Sequence, residues 1–211
     1  MGVTVMKIFR LTAIIFFASV LFSACANGSL YNDPAAMAGF TGTATFNLSQ
    51  ASSTLNVDVE YAVFAPGQYA GSDASGGGAY IYAYQIFNNF ASNAAVDFFS
   101  VGIPGGSGID MVYTDTNYGI SGGIDPFAFQ FPQSAGYMFT TQSLNPSQHS
   151  SVLLFNSMYL PTIGFGTLSG GGLGGMCTLT APSTVPAIIP EPATIALLVP
   201  AIFALRNKRK K

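Results

Sequence analysis

Between Leu11 and Leu205 the chain has neither a lysine nor an arginine, and it has no tryptophan anywhere. The missing cations remove nucleic-acid binding from the central region, because neutralising phosphates takes clustered Lys or Arg. Charged residues make up only 8% of the chain, against about a quarter in an ordinary soluble domain. His149 is the single histidine, and Cys25 and Cys177 are the two cysteines. Such a set cannot supply the three or four nitrogen and sulfur ligands of a usual zinc site. No glycine-rich loop leads into the lysine that a phosphate-binding P-loop needs, and no serine sits in a G-x-S-x-G elbow.

What charge there is falls into a pattern. Lys7 and Arg10 lie near the front, and Arg206, Lys208, Arg209, Lys210 and Lys211 at the back. The acidic residues Asp33, Asp58, Glu60, Asp73, Asp97, Asp110, Asp115 and Asp125 occupy the middle, and Glu191 stands beside the C-terminal apolar run. At the front, Lys7 and Arg10 precede the apolar stretch Leu11 to Phe22 and then Ser23-Ala24-Cys25-Ala26. A basic segment, a short apolar core and a small-residue A-x-A site read as a secretory signal peptide over 1–26. Two processing routes compete there. Cleavage after Ala26 discards Cys25, whereas a lipoprotein route would lipidate it. The A-x-A match favours ordinary cleavage, and Phe22 stands where a lipoprotein signal usually has Leu.

At the back, Pro190-Glu191-Pro192 is followed by the apolar run Ala193 to Leu205 and then by the basic tail RNKRKK. As a helix the run would rise about 20 Å, short of a hydrocarbon core of about 30 Å. Such a segment needs local thinning or a protein partner. The basic residues after it form a cytoplasmic stop signal by the positive-inside rule. Pro190 and Pro192 keep the preceding chain extended and reachable by a protease. This order resembles the PEP-CTERM sorting domain of bacterial envelope proteins over about the last two dozen residues. The resemblance implies an exosortase, a membrane-embedded protease, as partner, and export to the cell surface or to an extracellular polysaccharide matrix. Pro190, Glu191 and Pro192 carry the sorting motif.

The remaining central region is rich in Gly, Ser, Thr, Asn, Tyr and Phe. Leu55 to Phe64 alternates strictly: Leu55, Val57, Val59, Tyr61 and Val63 on one side, Asn56, Asp58 and Glu60 on the other. That period of two predicts a half-buried strand. Further strands are expected at Thr43–Leu48, Tyr80–Phe87, Val96–Ile103, Met111–Asp115, Phe127–Phe131, Tyr137–Thr141, Ser151–Ser157 and Gly166–Ser169. Many short strands between Gly, Pro and Asn turns predict an all-β fold, a single antiparallel β-sandwich domain, with a barrel as the alternative. An N-terminal signal-peptide helix and a short C-terminal transmembrane helix would flank it. The segments Val59–Tyr69, Tyr80–Asn88, Leu144–Ser157 and Gly166–Gly172 are similar to stretches of planctomycete PEP-CTERM proteins, a likeness that brings no activity with it. Gly170 to Pro186 looks like a Gly/Ser/Pro tether. The expected division is therefore an ectodomain over 27–175, a linker over 176–189 and the sorting signal over 190–211.

Three clusters in the domain are candidates for chemistry. His149 with Cys177 is formally a nucleophile pair, but the one sits in a polar turn and the other in the glycine-rich exit. Asp110, Asp115, Asn117 and Asp125 offer hard oxygen ligands for calcium, without the spacing of an EF-hand loop. Tyr80, Tyr82 and Tyr84 form a same-face stripe, a candidate glycan face if exposed and a core layer if not. No catalytic set emerges. The sequence points to a non-enzymatic, exosortase-sorted surface or matrix protein with a structural or adhesive role, and next to a carbohydrate-binding module associated with exopolysaccharide.

Overall fold

The computed structural model describes residues 29–104 and 108–186. The signal peptide, the sorting motif, the C-terminal run and the basic tail lie outside the described residues.

The described chain is almost entirely β, with one 3₁₀ turn at Leu30–Asn32. One antiparallel sheet has the order β1 (Ala36–Gln50), β2 (Ser53–Phe64), β3 (Tyr80–Asn88), β9 (Val152–Ser157), β5 (Ile109–Asp115), with the short β8 (Gln148–His149) also paired to β3. The other has the order β11 (Leu173–Pro186), β10 (Tyr159–Gly170), β4 (Phe98–Gly102), β7 (Ser134–Met138), β6 (Phe127–Phe131). The two antiparallel sheets enclose one apolar core, an arrangement consistent with a β-sandwich. Only Met158 separates β9 from β10, so the chain turns a corner from the first sheet into the second there.

Alternation fills the core. Leu55, Val57, Val59 and Val63 of β2 meet Phe99 and Val101 of β4, Ala135 and Tyr137 of β7, and Leu168 and Leu179 of β10 and β11. Burying a side chain of this size stabilises by about 1.5–3 kcal/mol. In β3 and β9, however, nearly every residue is buried on both sides. A second apolar cluster explains this. Leu30, Phe64, Tyr69, Ile81, Val152 and Leu154 pack on the outer face of the first sheet, joined at the margin by Tyr113 and Tyr118.

Two expectations need correction. The tether and domain boundary near Gly175 give way to a strand, since β11 pairs with β10 from Gly170↔Leu173 to Tyr159↔Pro186. Gly171 and Gly172 form the two-residue turn of that hairpin, with φ of 58° and 81°. Positive φ at both positions is the mirror-type turn that suits the strand twist, and glycine adopts it without strain. The domain therefore continues to Pro186. The strand expected at Tyr137–Thr141 instead runs Ser134–Met138, paired on both sides with β4 and β6.

Candidate functional site

The stripe Tyr80, Tyr82 and Tyr84 lies on β3 as expected but faces the core, which corrects the glycan-face reading. Tyr82 and Tyr84 are fully buried and Tyr80 half-buried. The hydroxyls of Tyr82 and Tyr84 explain why tyrosine rather than phenylalanine stands at those two positions. Tyr84 donates to the Thr180 carbonyl of β11 at 2.6 Å, and Tyr82 to the Tyr159 carbonyl of β10 at 2.7 Å. From the opposite sheet, Tyr137 of β7 donates to the Leu154 carbonyl of β9 at 2.8 Å. Each bond runs from one sheet to the other. Aromatic contacts continue the link, with Tyr84 of β3 5.9 Å from Phe99 of β4 between ring centroids. Burial pushes the Tyr82, Tyr84 and Tyr137 hydroxyls well above the ordinary phenol range, because the phenolate would lose its hydration.

Of the calcium candidates, Asp115 and Asn117 share one turn, while Asp110 lies at the other end of β5 and Asp125 in the stretch before β6. Asp115 is buried and accepts from the Ser72 amide at 2.8 Å and the Asn117 amide at 2.9 Å, which pins the β2–β3 loop to the turn after β5. Desolvation, and then the neighbouring Asp115 carboxylate, push the Tyr69 hydroxyl upward. Tyr113 is raised to about 12, chiefly by desolvation. Asp125 accepts from the Ser151 hydroxyl at 2.8 Å, Asp110 is exposed on β5, and Asn117 is exposed in its turn. Among the described residues no group of three or more His, Cys, Asp or Glu is placed to share a metal. His149 is on β8 of the first sheet and Cys177 on β11 of the second. The His149 ring lies beside Phe87 and 3.1 Å from the Ser150 carbonyl, so the two nucleophile candidates serve separate local structures.

Part of the outer face of the first sheet is covered by the chain itself. The Gln85 amide of β3 donates to the Ile120 carbonyl at 2.8 Å and the Ser150 carbonyl at 2.9 Å, and its oxygen accepts from the Ile120 amide. Phe64, Tyr69 and Tyr118 make a three-ring cluster above the sheet. Toward the β1–β2 edge, Asp58 accepts from the Thr45 hydroxyl and the Asn89 amide, and Glu60 from the Ser29 hydroxyl.

The outer face of the second sheet is built differently. Strand registers place Met176, Thr167, Ser100, Gly136 and Phe129 in one outward row across all five strands. The next row holds Gly174, Ser169, Phe98, Met138 and Phe127. Phe165, paired with Thr178 of β11, and Phe131, paired with Ser134 of β7, begin the row on the other side. None of these positions carries a charge or an amide side chain. Ile163 is 79% exposed, Met176 67%, Phe127 65%, Phe165 55% and Phe131 52%.

Phe129 lies over Gly136, where an added Cβ would come within 2.5 Å of the ring. Phe98 and Phe127 flank it at centroid distances of 6.0 and 6.1 Å, each tilted by 22° from its plane. An open depression bounded by Phe98, Thr167, Gly174 and Met176 continues the surface onto β11. Sequence reasoning found β6 as a strand but not its outward phenylalanines, because the row is set by pairing with a strand ending at Met138. The signal was present in the phenylalanines at positions 127, 129 and 131. Contiguous apolar surface of this kind marks an interaction site more often than an accident of composition. No family model matches the chain, and no curated protein or solved structure matches it.

Proposed function

We propose that the chain is an exported, non-catalytic protein of the bacterial envelope or extracellular matrix, sorted by an exosortase. The observation that supports it is the order of Pro190-Glu191-Pro192, the apolar run Ala193 to Leu205, and the tail with Arg206, Lys208, Arg209, Lys210 and Lys211. The front supplies export through the signal peptide. The run holds the precursor in the inner membrane, with the basic tail on the cytoplasmic side. The exosortase then acts near the Pro-Glu-Pro motif and releases the domain to the surface or the polysaccharide matrix.

A β domain with hydroxyl-linked sheets suits a structural or adhesive role in that setting. Its carboxylates have separate partners, and its lone histidine and half-buried thiol stand on different sheets. Mass spectrometry of the mature protein from cells with and without the exosortase tests the reading. The expected result is loss of the residues after Pro190-Glu191-Pro192 only where the enzyme is present. An intact C-terminus in both strains would refute it.

A further inference from the structure

We propose that the uncharged outer face of the second sheet docks on the lipid surface that holds the C-terminal run. The inference rests on the reading of Ala193 to Leu205 as a membrane segment. Three observations carry it beyond that reading.

The first is the length of chain between the domain and the run. β11 ends at Pro186, and the apolar run begins at Ala193. The six intervening residues span at most about 20 Å when fully extended. A membrane-held chain therefore keeps the domain against the bilayer. At that distance even a weak surface preference is populated, because short tethers give effective concentrations of about millimolar.

The second is where the chain leaves. Pro186 pairs with Tyr159 at the start of β10, the strand that presents Ile163 and Phe165. The exit thus lies at one end of the edge strand of the second sheet, a strand that itself contributes Met176 to the apolar face. The outer face of the first sheet is roofed by its own loops around Phe64, Ile81 and Val152, and toward β1 it carries the exposed polar residues Thr43, Thr45 and Asn47.

The third is chemistry. A lipid surface needs exposed apolar side chains and no buried charge, and this face offers Phe, Met and Ile among Ser, Thr and Gly. Elsewhere the domain carries acidic residues with no lysine or arginine to balance them, so other orientations would press carboxylates without a counter-charge toward the bilayer. A neutral glycan would be read through fixed hydrogen-bonding side chains. The central hydroxyls here, Ser100 and Thr167, are already bonded to each other at 2.6 Å.

Methionine oxidation tests the proposal on the unaltered chain. Met176 lies on the proposed face, and Met111 is exposed on β5 of the first sheet. The exported precursor from cells lacking exosortase is reconstituted into phosphatidylcholine vesicles, treated with dilute hydrogen peroxide and read by mass spectrometry. The expected result is Met176 oxidising at least tenfold more slowly than Met111, in chains that resist an alkaline wash and at less than one chain per vesicle. Retained chains in which Met176 oxidises as fast as Met111 would overturn the docking while leaving the anchor intact. Chains that wash off would overturn the anchor and the docking together. Protection that vanishes on dilution would assign the face to a second copy. Protection that persists in washed-off chains would assign it to the chain's own C-terminal run, and protection seen only with an added soluble neutral glucan to a glycan. Each of these last three results overturns the lipid assignment.

Discussion

The two sheets of this domain treat their outer faces in opposite ways. On the first, Phe64, Tyr69, Tyr118, Leu30 and Val152 are roofed by the chain's own loops, and Gln85 and Asp115 fasten those loops by hydrogen bonds. On the second, phenylalanines, methionines and an isoleucine stand in the open. The chain is able to cover aromatic side chains and does so over one sheet, so the bare face of the other is a property of the design rather than a shortage of loop. It teaches that the apolar groups of the two sheets have different uses. Those over the first contribute to folding stability, and those on the second remain available to something outside the domain.

Substitutions sharpen that contrast. Phe64→Ala, under the roof of the first sheet, is expected to lower stability by about 3–5 kcal/mol, the cost of emptying a packed aromatic site. Urea unfolding followed by circular dichroism measures it, and a change below ~1 kcal/mol would mean that the roof is not closely packed. Gln85→Leu removes the amide that satisfies the Ile120 and Ser150 carbonyls, and should cost about 1–3 kcal/mol. Proteolysis should then open the segment around Ile120 before the rest of the domain.

Alkaline pH acts on the links between the sheets. Tyr82, Tyr84 and Tyr137 have hydroxyl pKa values raised by burial, so the fold holds their protons while the unfolded chain releases its own near pH 10. Their contribution is fully present below about pH 10 and is lost as pH rises above it, by about 1.4 kcal/mol per pH unit for each tyrosine held neutral. Unfolding midpoints between pH 8 and 12 should stay flat and then fall. Tyr84→Phe keeps the ring and removes the bond to Thr180, for an expected loss of about 1 kcal/mol and a shallower alkaline decline. Ile163→Ser and Phe131→Ser on the bare face should change stability by less than about 0.5 kcal/mol. A loss as large as that of Phe64→Ala would erase the distinction between the two faces.

Much of this was legible in the sequence, and the failures have physical causes. Strict alternation located β2, with Leu55, Val57, Val59 and Val63 inward as read. The strand β3 was found, but its tyrosines left open whether they faced a ligand or a second sheet, since alternation fixes a face and not what covers it. β11 was missed because Leu173 to Pro186 has the Gly, Ser, Thr and Pro content of a tether. Its inward residues, Gly175, Cys177, Leu179 and Ala181, are small apart from Leu179, and its pairing comes from the Gly171–Gly172 turn and β10. The roof over the first sheet was illegible for a related reason. Leu30, Tyr69 and Tyr118 are isolated apolar residues in polar loops, brought together only by the topology. The bare face required the register of five strands, which no local pattern contains.

The most direct test of the proposed sorting and docking compares Met176 in the proposed membrane-held precursor with Met176 in the proposed exosortase product. Peroxide treatment of cells with and without the enzyme, read by mass spectrometry, provides it. Slow oxidation of Met176 before cleavage and rapid oxidation after it, with Met111 unchanged, is the expected result. Equal rates in the two forms would contradict it.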